Sequence, residues 1–421
     1  MQAVILAAGA SSRFWPLSAD RHKCLCRVAG RTLIGHTIAS LEEAGLDEVI
    51  VVQSPAEDVE QELDDGFDLD VSYVVQEEPR GMAHALRQAE ELLDERFFVL
   101  TPYRKNTGSF IREMVAKQEE GADAVLIARE TETPWKYGVL ETDDDRAASI
   151  VEKPAKGEEP SDQRVVGMYL LETGFFDYLD RVEEHEYQYE DALDIYMDER
   201  DVGVVFTEQD TASIKYPWDL FGVVRDVFDD MERSVSPEAD VAESATLDGT
   251  VVVEDGATIY ENAVIRGPCY VGEDCVVGNN AVVRAYTDLE RGVVVGANSE
   301  VRGSVIQQDS HTHQAFVGDS LIGRDVRIGA GTVFANRNVR SEDGRDNVTV
   351  HVQLKEEDMD TGRDRLGGIV GDGVDIGTQA NIMPGVEIGP DSFVGPSTMV
   401  RNNVDAGQTV YTKLENVRRE R

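Results

Sequence analysis

The stretch LAAGASSRFWPL, residues 6–17, carries the residue types that hold a polyphosphate. Gly9 and the small side chains Ala10, Ser11 and Ser12 follow an apolar run, so backbone N–H groups there can approach phosphate oxygens closely. Arg13 and, further on, Lys23 supply positive charge suited to a triphosphate. A tight strand-to-helix turn uses the same small residues, so this stretch alone leaves both readings open. A second stretch bears on the same chemistry. FFVLTPYRKN, residues 97–106, is an apolar run whose end carries Pro102, Tyr103, Arg104 and Lys105 but no carboxylate. Chemistry on a polyphosphate commonly draws on a divalent cation to neutralise charge, and such a cation is held by oxygen ligands, carboxylates above all. Tyrosine is a poor magnesium ligand.

These stretches need a scaffold, and the N-terminal half has the pattern of one. The runs AVIL (3–6), EVIVVQ (48–53), VSYVVQ (71–76), FFVL (97–100) and AVLIA (124–128) are expected to be buried strands. Helical periodicity lies between them, as over 81–93. Such alternation predicts an α/β, Rossmann-like domain over residues 1–230, with a mostly parallel, doubly wound sheet that binds ligands at the carboxyl ends of its strands.

Beyond about residue 234 a six-residue period replaces the helical one. Val241, Leu247, Val253, Ile259, Ile265, Val271, Val277, Val283, Leu289, Val295 and Val301 fall at strict i+6 spacing. The count resumes at Phe316, Ile322, Ile328 and Phe334, and again from Val370 to Val400, often with glycine after the aliphatic residue. This predicts a parallel β-helix over 235–421, each repeat forming one flat face of a coil. Segments 307–315 and 335–369 break the count and are expected to leave the coil.

The chain has 421 residues and a formal net charge of −42. Self-repulsion of that size destabilises a compact state unless salt screens it, so the surface reads as salt-adapted and halophilic. Nucleic acid is excluded as a partner on the same ground. The absence of a long apolar run or a signal-like N-terminus points to a cytoplasmic protein with no membrane contact. Cys24, Cys26, Cys269 and Cys275 match no common zinc spacing and read as free thiols.

LAAGASSRFWPL with Lys23, Gln76 with Gly81, and VEKP (151–154) together resemble the sugar-1-phosphate nucleotidyltransferases. With the hexapeptide repeats behind them, the whole chain resembles the bifunctional glucosamine-1-phosphate acetyltransferase/N-acetylglucosamine-1-phosphate uridylyltransferase family in its archaeal form. The resemblance implies a left-handed β-helix, a homotrimer, and acetyl-CoA as co-substrate. It implies that Gln76 and Gly81 read the pyrimidine base of a nucleotide such as UTP, and that Glu152 and Lys153 contact the sugar and its phosphate. It also implies Mg²⁺ held by two aspartates, but those positions read Tyr103 and Ser213, with Asp219 the nearest replacement. Further departures are His22 before Lys23, Met82 after Gly81, and the lack of asparagine before Gly167.

The second half keeps more of the pattern. DSHTHQAFVGDSLIG (309–323) resembles the loop carrying the acetyltransferase general base, and the match falls on His313. An imidazole titrates near neutrality and suits an amine nucleophile that must lose a proton. By the same resemblance, Arg284, Glu300, Arg302, Asn336 and Arg365 bind an amino-sugar 1-phosphate, while Phe316 stands where tyrosine is usual. The favoured reading is therefore an acetyltransferase with a degenerate uridylyltransferase site. Two rivals remain: a fully bifunctional enzyme, and a non-catalytic protein that binds sugar nucleotides.

Overall fold

The computed structural model describes residues 1–104, 106–209, 211, 214–338, 348–354 and 357–413. It forms two compact units, residues 1–10 with 32–213, and residues 11–31 with 214–421.

The first unit is built on nine strands. They are β1 (Gln2–Leu6), β2 (Glu48–Gln53), β3 (Asp70–Val75), β4 (Arg96–Leu100), β5 (Ala124–Glu130), β6 (Gly138–Asp143), β7 (Arg146–Glu152), β8 (Gln163–Glu172) and β9 (Val202–Phe206). Their order is β3-β2-β1-β4-β8-β5-β9-β7-β6. The five expected strands are β1 to β5, and the pairs β1–β2, β2–β3 and β1–β4 are parallel. The sheet departs from the expected doubly wound form at β8, which runs antiparallel to both β4 and β5, and at the β6–β7 ribbon. Burial makes the central strands near-continuous apolar runs, as in Val49–Val52 and Phe97–Leu100.

Helix α1 (Leu33–Glu43) begins where the Thr32 hydroxyl accepts the Gly35 N–H at 3.0 Å, and it turns Leu33, Ile34, Ile38 and Leu41 inward. The helix expected over 81–93 is shorter. Only Met82–Arg87 (α2) is α-helical, because the following Glu90–Leu92 turn has no buried face to hold it in register. Helices α3 (Thr107–Glu119) and α4 (Gln188–Glu199) complete this unit's longer helices.

The second unit is a parallel β-helix. Among the described residues it has three parallel sheets of eight, nine and eight short strands. Val253, Val271 and Leu289 pair in register 18 residues apart, so one turn takes three six-residue steps. The i+6 residues from Val253 to Val301 and from Ile322 to Val400 fill one continuous core, with Val241 and Leu247 partly buried at its end. Glycine follows several of them because the next coil is close. A Cβ on Gly278 would lie 2.6 Å from the Ala297 nitrogen.

Two expectations for this region need correction. The six-residue count places Phe316 inward, but Val317 occupies the core, because Val301 to Ile306, Thr312 to Val317 and Val317 to Ile322 are five-residue steps. Segment 307–315 stays in the coil, where His311–Thr312 pairs with Val294–Val295 and Arg327–Ile328. Among the described residues the excursion between Phe334 and Ile369 is present. Val333–Phe334 and Ile369–Val370 continue the coil on its two sides, and between them His351–Leu354 pairs antiparallel with Glu357–Asp360.

Helix α5 (Leu220–Asp229) and segment 11–31 belong to this second unit. Segment 27–30 is fastened to the coil through buried acids. Ala29 N–H donates to Asp288, Gly30 N–H to Glu290 at 3.0 Å, and Arg27 exchanges two backbone bonds with the Gln307 amide. Arg21 forms an ion pair with Asp372. All four cysteines are free and buried.

One buried acid gives the coil a pH dependence. Glu387 is 1% exposed, its Oε2 accepts from Asn403 Nδ2 at 2.9 Å, and its Oε1 has no partner. Burial pushes its pKa from 4.5 up to about 8. The raised value means that its contribution to stability is full below pH 4.5 and is lost as the pH rises through about 8. Glu387→Gln should therefore flatten this loss, which is on the order of 3 kcal/mol. Urea midpoints of both proteins at pH 5 and pH 8.5 measure it, and parallel shifts would refute the assignment.

Candidate functional sites

In the first unit the expected base-reading residues meet. Gly9, Gln76 and Gly81 line one cavity of about 720 Å³, together with Arg80, Met82 and the 184–186 turn. Gln76 is buried, and its amide contacts the Gly81 carbonyl at 3.3 Å and His84 Nδ1 at 2.8 Å. Gly81 takes φ +100°, and a Cβ there would stand 3.0 Å from the Glu186 carbonyl, so this position needs glycine. Gly9 meets no such limit, since a Cβ on it would enter open space.

Arg13 and Lys23 lie in the second unit. Lys23 Nζ donates to the Ile214 carbonyl at 2.6 Å. Burial lowers its pKa, against the pull of Cys24 and Asp219.

A second cavity of the first unit, of about 190 Å³, opens where β8 bulges between Val165 and Tyr169. Glu152 lines it at the end of β7, and Lys153 forms an ion pair with Glu152 at 3.0 Å, its ammonium 5.0 Å from the Tyr187 ring centroid. Arg104, Arg164 and Glu190 line the same cavity and were not singled out from the sequence as binding residues. Arg104 is legible as a basic residue ending an apolar strand, but nothing in its spacing shows that it turns inward.

Of the residues at or near the implied magnesium positions, the two described ones, Tyr103 and Asp219, do not offer the aspartate ligands that the resemblance implies. Tyr103 is buried, and the Pro102 carbonyl before it accepts the Thr37 hydroxyl at 3.0 Å. Ser213 lies outside the described residues. Asp219 Oδ2 accepts the backbone N–H groups of Lys215 at 2.8 Å and Tyr216 at 2.7 Å, as a capping residue of a short helix. Burial raises the Asp219 pKa, against the pull of those two N–H donors and of Lys23 and Lys215. Among the described residues no cluster of three or more His, Cys, Asp or Glu side chains is placed to hold a metal ion.

The second unit gathers arginines in an acidic chain. Arg302, Arg365, Arg225 and Arg363 line a cavity of about 490 Å³ with Asp319 and Phe221. Arg302 donates to Asp319 Oδ2 at 2.5 Å, and Asn336 Nδ2 donates to the same oxygen at 2.5 Å. Burial pushes the Asp319 carboxyl upward against the pull of Asn336, Arg302, Arg365 and Arg363. Arg363 lies 4.6 Å from the Phe221 ring centroid, its pKa lowered by burial and by Arg225.

Arg284 and Arg302 stand in register on adjacent coils, yet Arg284 is spent on Glu300, with bonds of 2.9 and 2.6 Å. Phe316 pairs with Glu300 on the next strand, and its ring lies over Gly318 beside Asn336. His313 is exposed at the corner after His311–Thr312, its N–H bonded to the Ile328 carbonyl at 2.9 Å, and it is not among the residues lining the arginine cavity. Arg225 and Arg363 escaped the sequence reading. The signal for Arg363 was its place two residues before Arg365 in DTGRDRLGG, whereas Arg225 sits on an ordinary amphipathic helix.

Residues 2–233 match the family model described as nucleotidyl transferase, and residues 250–285 match that of the bacterial transferase hexapeptide (six repeats). The chain is 34% identical to a bifunctional protein GlmU of Methanococcus maripaludis strain C7, over 99% of this chain and 98% of that protein. It is 30% identical to a bifunctional sugar-1-phosphate nucleotidylyltransferase/acetyltransferase of Sulfurisphaera tokodaii, over 97% of this chain and 99% of that one. With one family model matching more than half of its residues and a relative aligned almost end to end, the chain belongs to the nucleotidyl transferases, in the two-part family of the archaeal bifunctional GlmU proteins.

Proposed function

We propose that this protein transfers an acetyl group from acetyl-CoA to the amine of glucosamine-1-phosphate or a similar amino-sugar 1-phosphate, in nucleotide-sugar biosynthesis. The observation that carries this reading is the set of four arginines around one cavity of a chain whose net charge is −42. Planar guanidinium forks suit a dianionic phosphate, and Arg302 and Arg365 hold it while Asp319 and Asn336 orient Arg302.

The sugar amine attacks the thioester carbonyl, a C–N bond forms and the C–S bond breaks. His313 takes the proton that the amine loses and returns it to the departing CoA thiolate. A homotrimer belongs to this reading, because a neighbouring copy would complete a site that one chain leaves open around His313. So do a cytoplasmic location and a requirement for high salt.

On the same reading the first unit binds a sugar phosphate without nucleotidyl transfer, since neither Tyr103 nor Asp219 offers a free metal-binding carboxylate. The full-length likeness to proteins named bifunctional favours the rival, in which UTP and N-acetylglucosamine-1-phosphate also react. One preparation in molar potassium chloride tests both. CoA release from acetyl-CoA and glucosamine-1-phosphate is expected, with no pyrophosphate release from UTP and the acetylated sugar phosphate under magnesium. Pyrophosphate release would establish the rival, and absence of CoA release would refute the acetyltransferase.

A further inference from the structure

Arg104 is 6% exposed, and its partners are meagre. Nη1 donates to the Thr211 carbonyl and Nη2 to the Thr101 hydroxyl, both at 3.4 Å, and Nε has no partner. Among the described residues no carboxylate pairs with it. Instead its neighbour is Arg164, which donates to the Thr211 hydroxyl at 2.5 Å and stacks 4.7 Å from the Tyr137 ring centroid. An uncompensated buried charge is costly, and the cost shows in a pKa lowered to about 10, by burial first and then by Arg164. A buried guanidinium with no carboxylate partner among the described residues, beside a second guanidinium on the same threonine, describes a site arranged for an anion that comes from outside.

The cavity is shaped for such a guest. Gly167, at φ +74° in the bulge of β8, lets the Arg104 fork reach the opening, since a Cβ there would stand 3.2 Å from Nη2. Glu190, on the first turn of α4, faces the same space with Oε2 unpartnered, and burial pushes its pKa up to about 7. Near neutrality it can therefore donate a proton in a hydrogen bond to a sugar hydroxyl. Glu152 is already matched by Lys153.

We propose that Arg104, together with Arg164, binds the phosphate of a phosphate monoester without any divalent cation, supplying from the chain itself the positive charge that a metal ion would bring. This rests on reading the first unit as a sugar-phosphate binder, and it adds the group that does the binding.

The test uses the full chain carrying Arg302→Met and Arg365→Met, which silence the other arginine cavity, titrated calorimetrically with N-acetylglucosamine-1-phosphate in molar potassium chloride and EDTA. One site per chain is expected, with the same affinity when magnesium replaces EDTA. Adding Arg104→Met should weaken binding at least tenfold. The same substitution should leave the ligand-free melting temperature equal or higher, because a nearly isosteric apolar side chain removes a buried unpaired charge. Arg104→Lys, which keeps the charge and loses the fork, should fall between. Binding that requires magnesium, binding untouched by Arg104→Met, or no binding to the parent would each overturn the proposal. CoA release, assayed separately on the wild-type chain, reports on the acetyl-transfer reading whichever way this titration falls.

Discussion

His313→Ala should slow acetyl transfer by about 10²–10⁴-fold, with the KM for the amino-sugar phosphate close to that of the wild type. The split follows from geometry. The arginine cavity that would bind the phosphate is lined by Arg302, Arg365, Arg225 and Arg363, and His313 is not part of it. Removing the imidazole therefore takes away a proton acceptor and leaves the phosphate contacts in place. Steady-state CoA release at varied glucosamine-1-phosphate measures both constants. His311→Ala is the control. His311 is exposed in the same coil, two residues away, and its loss should change neither constant. Equal effects from the two substitutions would mean that the segment, and not the imidazole of His313, is what matters.

Phe334→Ala should cost about 3–5 kcal/mol of stability, the range for emptying a fully buried aromatic site. Phe334 is the largest side chain of the coil's core. It closes the strand before the 335–369 excursion, stands in register with Ile382, and packs where the chain returns at Gly368. A coil exchanges contacts only with its immediate neighbours, so a cavity there cannot be repaired from a distance. The effect should reach function as well, because Asn336 hangs from the same strand end and holds Asp319. Denaturation midpoints report the first consequence and CoA release the second. A stability loss below about 1 kcal/mol would show that the coil closes over the gap.

The two halves were legible in the sequence for different reasons. Strand Glu48–Gln53 could be read to its last residue, because a buried parallel strand is an unbroken apolar run. The coil could be counted in sixes because each face has one length and one inward position. Both readings failed where the regularity is interrupted by geometry. β8 entered the sheet antiparallel, and three five-residue steps put Val317 into the place that the count gave to Phe316. A periodic count carries no information about a single deleted residue until the register is seen.

For the sites, some of the residues named from the sequence lie together, as with Gln76 and Gly81 or Arg302 and Asn336, while Arg13 and Lys23 belong to a different unit from Gly9 and His313 lies outside the arginine cavity. The inward placement of Arg104, Arg164, Arg225 and Arg363 could not be read for a common physical reason. An arginine's role depends on whether its charge is buried and what stands opposite, and neither property is encoded in its neighbours along the chain.

The strap at 11–31 belongs to the coil's unit, although a whole nucleotidyltransferase-like fold separates the two in sequence. Genetic cutting between residues 230 and 235 would therefore not release two self-sufficient products. The C-terminal product would carry Asp288, Glu290 and Gln307 without the backbone N–H groups that now satisfy them. The N-terminal product would carry Arg13 and Lys23 on a strand of chain with nowhere to pack. Gene fission at that point should therefore yield two products that each lack part of their own packing, a cost that favours inheriting the two halves together.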